Sequence, residues 1–184
     1  MTDKTEGTYG AASRLNHWIG AVLFGALLIV GFILSYDLLP DEQAGEVRNL
    51  HKATGTLLLL FAIWRVTWRI GQGFPAAASE RTGWELALSK AVHGAMLLTL
   101  VVMPVSGVSM SLLGGRPIDM YGLFTIPPVA EMKDLARSLR AVHGYAAYTL
   151  ATLIVLHIAG ALKHSLIDRD GTLRRMLTGK SPAA

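Results

Sequence analysis

The sequence predicts an all-α integral membrane protein built as a four-helix bundle. Two observations carry that expectation. Hydrophobic residues make up 52% of the 184 and charged residues only 16%, whereas soluble domains hold about 25% charged residues. Three stretches also run for 22, 25 and 22 residues without a charge. The mean hydropathy of +0.42 agrees. A chain of this length forms one domain, so 1–184 is read as a single unit.

The first charge-free run lies between Arg14 and Asp37 and predicts a span over 15–36; a bilayer core needs about 20 apolar residues. It is too long for the core of a cleavable signal and has no small-residue cleavage site after it, so it belongs to the mature chain. The second element is less obvious, because Ala53 to Trp64 gives only 12 residues before Arg65. The chain then continues through Val66, Thr67, Trp68, Arg69 and Ile70. Arg65 and Arg69 can snorkel to the interface beside Trp64 and Trp68, which extends the span to 51–70. The run from Ala91 to Gly115 predicts a third span over 88–112, and that from Ala141 to Leu162 a fourth over 139–163.

The connections set the orientation. Lys and Arg number 2 in the N-terminal tail, 4 between helices two and three, and 5 from Lys163 onward, a total of 11. The opposite side holds 6: Arg48, Lys52, Arg116, Lys133, Arg137 and Arg140. The positive-inside rule therefore places both termini in the cytoplasm. The long outer connection, 113–136, contains Gly114, Gly115, Pro117, Pro127 and Pro128. These residues break helix and predict a folded cap over the mouth of the bundle. Met132, Leu135, Leu139 and Val142 then recur at helical spacing, so helix four is expected to begin above the membrane as an amphipathic extension.

Composition narrows the chemistry. The absence of cysteine excludes disulfides, iron–sulfur clusters, cysteine-ligated zinc and covalent c-type haem attachment. A net charge of +4 invites comparison with nucleic-acid binders, but the basic residues fall between apolar runs and not along one polar face. Six histidines remain as the chemically versatile residues.

His143 and His157 are 14 residues apart on helix four, about 21 Å along the axis and within roughly 40° of the same face. Two imidazoles at two membrane depths call for two partners. His51 opens helix two at the outer side, level with His143; His17 opens helix one at the inner side, near the depth of His157. Each helix-end histidine taken alone is readily an interfacial side chain. As the pairs His51 with His143 and His17 with His157, they can supply both axial ligands of two b-type haems wedged between helices. Gly20, Gly25, Gly31, Gly55, Gly94, Gly107, Gly144 and Gly160 lie in or beside the spans and offer room for a flat macrocycle, although glycine is also common in membrane helices for packing alone.

These residues stand in a recognisable pattern. Arg14-Leu15-Asn16-His17-Trp18, Leu50-His51-Lys52-Ala53-Thr54-Gly55, and Val142-His143-Gly144-Tyr145 through Leu156-His157 to His164 resemble the bacterial cytochrome b561 family, as do His93, Pro104 and Gly107 in the third helix. The resemblance covers nearly the whole chain. It implies a diheme, quinone-linked membrane cytochrome in which His17, His51, His143 and His157 ligate two haem b groups. It further implies superoxide as a candidate electron donor at the outer face and ubiquinone as acceptor. Similar cytochromes serve as membrane subunits of hydrogenases and dehydrogenases, which is the alternative reading.

The remaining candidates surround those pairs. His164, seven residues beyond His157, can hydrogen-bond a quinone carbonyl and deliver a proton, or stand as a solvated interfacial histidine; His93 can line the same inner cavity or, the favoured reading, simply satisfy its hydrogen bonds in the helix interface. Arg14, Arg65, Arg69 and Lys163 lie at the level of the inner pair, where they can meet haem propionates or act as topology anchors. Arg48, Lys52, Arg137 and Arg140 gather around the outer pair, where a basic collar can neutralise propionates, with Arg140 nearest His143 in sequence, and steer a small anion. A histidine-lined metal transporter is a third possibility. The pairing at two depths and the lack of carboxylates within the spans argue against it.

Overall fold

The computed structural model describes residues 4–5, 8–73, 83–129 and 131–179, and is all-α with five helices. Two basic residues of the topology count, Arg81 and Lys180, lie outside the described residues, as does Ala130 of the outer connection. A two-residue hairpin, β1 (Lys4–Thr5) with β2 (Thr8–Tyr9), precedes α1 (Ala11–Ser35). The chain turns at Asp37, whose φ is 49°, and restarts behind Pro40 as α2 (Asp41–Gln72). Asp41 and Glu42 in its first turn complement the positive end of the helix dipole. The second helix is thus longer than expected, because ten residues, nearly three turns, precede His51.

Helix α3 (Gly83–Leu112) runs through Pro104, and α4 (Lys133–Leu162) begins directly after Met132, so the amphipathic stretch before the apolar run is helical. Among the described residues three helices are long and apolar enough to cross a membrane: Ala11–Ser35, Gly83–Leu112 and Lys133–Ile167. The outer surfaces of α1 and α4 carry Leu15, Val22, Ile29, Val155 and Ile158, all exposed. So much contiguous apolar surface marks a lipid-facing protein. α2 carries Arg48, Lys52, Arg65 and Arg69 along with its apolar residues, which dilutes its hydropathy.

Helix α2 packs against α1 and α3, and α3 against α4. Phe24, Leu58, Ala62 and Leu100 form one buried cluster where the first three helices meet. A second cluster joins Ala53 of α2 to Ile118 and Met120 of the connection between α3 and α4. That connection is a hairpin, β3 (Ile118–Asp119) with β4 (Thr125–Ile126). Its tip has positive φ at both Tyr121 (58°) and Gly122 (75°), and the Leu123 N–H donates to Met120 O at 3.1 Å. Two successive positive φ values match the twist of antiparallel strands. The hairpin is pinned to α2 by Lys52 Nζ donating to Pro117 O (2.7 Å) and by the Thr54 and Tyr121 hydroxyls (2.8 Å). The expected cap is therefore a hairpin that drives a fully buried Ile118 down onto Ala53.

At the other end, the last helix does not stop cleanly. Lys163–Ile167 widens into a π-helical turn, followed by α5 (Thr172–Thr178). Trp18 of α1 donates its indole N–H to Met176 O (3.2 Å), and Arg14 donates to Tyr9 O (2.8 Å). Both terminal segments thereby pack over the same end of α1.

Candidate functional site

The structure brings together both histidine pairs anticipated from spacing. Beneath the hairpin, His51 of α2 faces His143 of α4 with ring centroids 6.4 Å apart and planes at 86°. Toward the termini, His17 of α1 faces His157 of α4 at 6.0 Å and 53°. A metal atom held between two imidazoles, with bonds of about 2.0–2.1 Å and roughly 1.1 Å from each nitrogen to its ring centre, sets centroids roughly 6.3 Å apart. Both pairs sit at that separation.

The ring orientations have identifiable causes. His143 Nδ1–H donates to Met103 O at 2.9 Å, and Ser106 Oγ lies 3.2 Å from the same nitrogen. This fixes the tautomer and leaves Nε2 as the donor atom for a metal, the arrangement usual for ligating histidine. Ser106, itself held by Val102 O at 2.6 Å, is buried on α3. On the opposite wall, His51 Nδ1 is buried without a hydrogen-bond partner among the described residues. Buried polar atoms are nearly always satisfied, so a bound group or solvent belongs beside it.

A largely apolar cavity of about 580 Å³, counted with its open mouth, lies between these helices. Its walls include His51, His143, Phe24, Leu58, Met103, Gly107 and Ile118. Two of the span glycines are required here. A Cβ on Gly107 would lie 3.0 Å from His143 Cε1, and one on Gly31 would lie 3.3 Å from His51 Cε1. By contrast Gly25, Gly94, Gly144 and Gly160 face open space, so their role is not steric clearance for an imidazole. An apolar slot, opposed imidazoles at single-metal separation and glycines clearing each ring together fit a planar iron porphyrin held by two histidines.

The second pair is set differently. Arg65 of α2 donates from Nη1 to Asn16 O (2.8 Å) and Asn16 Oδ1 (3.0 Å), and its Nη2 lies 3.4 Å from His17 Nδ1. Of the four cations expected at this level, Arg65 reaches a pair histidine. Arg14 serves Tyr9 O, Arg69 donates to Gly73 O (2.8 Å) and lies over the Tyr9 ring, and Lys163 pairs with Glu85 and Asp168. His93 of α3 meets His157 edge-on at 5.1 Å while its Nδ1–H donates to Ser89 O at 2.6 Å. It is thus both held in the helix interface and adjacent to the pair, at a separation too short to share a metal with His157 in the same way. His164 lies in the π-helical turn, where the α-helical face count from His157 no longer applies; its Nδ1 sits among carboxylates.

The expected outer collar divides. Lys52 is committed to Pro117 O and Arg137 to Asp134 at 3.2 Å, whereas Arg48 and Arg140 are exposed. Arg116, which the spacing of charges had not singled out, joins them. Its guanidinium is held below the usual arginine range by desolvation first and then by repulsion from Arg140 and Arg48. Three cations of one sign therefore share a field at this mouth. Ser106, Met103 O and Ile118 were likewise invisible in the sequence, and Asn16 was visible only within the motif around His17, since nothing in a one-dimensional pattern aims a carbonyl at a ring.

Comparison with known proteins decides the family. The model for the prokaryotic cytochrome b561 family matches residues 8–179, nearly the whole chain. The chain belongs to that family. Among cytochromes b561, it is 32% identical over 178 residues to "Cytochrome b561 homolog 2" of Escherichia coli, covering 96% of this chain and 94% of the other. It is 25% identical over 166 residues to the "Probable superoxide oxidase CybB" of Yersinia pestis, covering 89% and 92%. It is also 22% identical over 209 aligned positions to a "Probable Ni/Fe-hydrogenase B-type cytochrome subunit" of Rhizobium leguminosarum, covering 94% and 87%. Membership in the cytochrome b561 family makes the chain a bacterial membrane cytochrome of the b type, an electron-transfer protein.

Proposed function

We propose that the chain is a single-domain, four-helix cytochrome of the bacterial inner membrane, with both termini cytoplasmic, that binds two haem b groups and transfers electrons between a donor at the periplasmic face and ubiquinone at the cytoplasmic face. The observation that carries this reading is the pair of opposed imidazole couples, at 6.4 and 6.0 Å, stacked at two depths on one helix. His51 and His143 hold the outer haem, and His17 and His157 the inner one. Bound haem supplies one-electron redox chemistry between donor and acceptor.

The chain's own residues do the rest. Met103 O and Ser106 orient His143 and raise its basicity as a ligand, while Gly107 and Gly31 keep the slot open. The hairpin, through Ile118, excludes water from the outer slot. Arg65 fixes the start of α1 and brings a positive charge beside His17, suited to a propionate. Arg14 and Lys163, bound elsewhere, contribute by anchoring the cytoplasmic end, and Arg140 by its charge at the outer mouth. Quinone reduction requires protons, and we assign their delivery to His164 with His93 at that end.

The donor we favour is superoxide. Arg48, Arg116 and Arg140 make an exposed positive field over the outer slot, with Lys52 and Arg137 behind it, and such a field steers small anions. The name of the Yersinia relative agrees. The Rhizobium relative's name supports a second reading, an electron-transfer subunit docked to a hydrogenase or dehydrogenase, in which the same arginines meet a protein partner.

A dithionite-reduced minus oxidised spectrum with pyridine-haemochrome quantification tests the proposal. Two b haems per chain are expected; none, after expression with ample haem supply, overturns it. Superoxide-driven reduction of a ubiquinone analogue by the purified chain separates the first donor reading from the second.

A further inference from the structure

Among the described residues, one set of metal-ligating side chains gathers outside the histidine pairs. His164 Nδ1, in the π-helical turn, lies 2.9 Å from Asp168 Oδ2 and 3.0 Å from Asp170 Oδ2. The donor atoms of all three residues fall within 4.8 Å of one another. Asp170 is almost wholly buried, its side chain only 4% exposed, and its other oxygen accepts the Thr172 N–H at 2.9 Å. That bond aims the remaining carboxylate oxygen at the imidazole.

Distance and alignment disagree in an informative way. Nδ1 is completely buried and within 3.0 Å of two carboxylate oxygens, yet it makes no hydrogen bond of acceptable geometry to either. A protonated ring hydrogen-bonding a carboxylate would point its N–H at one oxygen. Cis ligands of one metal behave otherwise. With bonds of about 2.0–2.2 Å at right angles, they stand roughly 2.8–3.1 Å apart, and each lies about 45° off the line from the other to the metal. Both observed separations and the missing alignment match that arrangement. Residues 164 and 168, four apart, share one side of the turn, and the chain leaves it toward Asp170; π-helical turns recur at functional sites.

We propose that His164, Asp168 and Asp170 form a binding site for a divalent first-row transition-metal ion, separate from the histidine pairs. One imidazole nitrogen and two carboxylate oxygens suit such an ion, and the coordination sphere is completed by water. Lys163, which contacts Asp168 at 2.8 Å, also pairs with Glu85 at 2.9 Å. Its ammonium therefore keeps a carboxylate partner when the ion takes Asp168. Occupancy ties the end of α4 to the segment leading into α5.

The test is equilibrium dialysis of the full-length protein in detergent, freed of any purification tag, against Zn2+ alone, with metal counted per chain. One zinc per chain beyond the haem iron is expected. His164→Ala and Asp170→Asn are each expected to weaken it at least tenfold, as is the milder Asp168→Asn, with helical circular dichroism unchanged. No zinc bound by the wild-type protein at micromolar free ion overturns the site. So does wild-type affinity in Asp168→Asn together with either other variant. Because the readout is zinc and not haem, failure here leaves the haem assignment standing, and failure of the haem assignment leaves this site standing.

Discussion

Gly107→Ala tests the outer slot most sharply. The new methyl would stand 3.0 Å from His143 Cε1 and 3.2 Å from its Nδ1. Carbon contacts settle at about 3.5–4.0 Å, so ring or helix must yield by roughly half an ångström. The ring cannot yield freely, because its Nδ1–H is held at 2.9 Å by Met103 O, one turn back on the helix that carries the methyl. Overpacking of this kind costs about 1–3 kcal/mol, and replacing a helical glycine recovers about 0.5–1 kcal/mol, for a net destabilisation of roughly 0–2.5 kcal/mol. Gly25→Ala supplies the comparison, since nothing lies within 4 Å of a Cβ there and only the favourable term remains. Thermal unfolding in detergent and the reduced-minus-oxidised spectrum read both effects. We expect Gly25→Ala to match or exceed wild-type stability with an unchanged spectrum. Gly107→Ala should unfold earlier and shift or lose the component assigned to His51 and His143. If the two variants behave alike, Gly107 does not clear the imidazole and the slot is not shaped as described.

Other expectations follow from the same geometry. His143→Ala and His51→Ala should each halve the haem content while leaving the inner component's spectrum; equal loss of both components would refute the pairing. Ile118→Ala removes a fully buried side chain between the hairpin and Ala53, so unfolding should be easier by about 2–5 kcal/mol, measured as a lowered melting temperature. Unaltered stability would show that the hairpin does not seal the slot. Arg116→Gln and Arg140→Gln should slow reduction by a small anionic donor several-fold at low ionic strength and converge on wild type at high salt, since steering is screened. An effect independent of salt would place these arginines in contact with the donor and not in the long-range field.

The spans around α1, α3 and α4 were legible because a bilayer imposes a length on any helix that crosses it, and length and charge are read directly from the chain. The pairing of His51 with His143 and His17 with His157 was legible for a related reason. Rise per residue is constant along a helix, so separation in sequence is depth in the membrane. His164 shows where that inference stops, because it assumed α-helical geometry past Leu162, where the helix widens.

Within the site, the sequence offered eight span glycines on equal terms, and packing alone separated Gly31 and Gly107, which face imidazoles, from Gly25 and Gly94, which do not. It offered Arg48, Lys52, Arg137 and Arg140 as one collar, and the fold committed Lys52 to Pro117 and Arg137 to Asp134 while adding Arg116. Composition and spacing by themselves determined the helical class, the apolar stretches and the position of each histidine along its helix, because these depend on local quantities summed along one helix. The tertiary structure decided which carbonyl holds His143, which glycine clears it and which carboxylates reach His164. Those contacts depend on the rotation of one helix against another and on the course of the chain between helices, which no local pattern encodes.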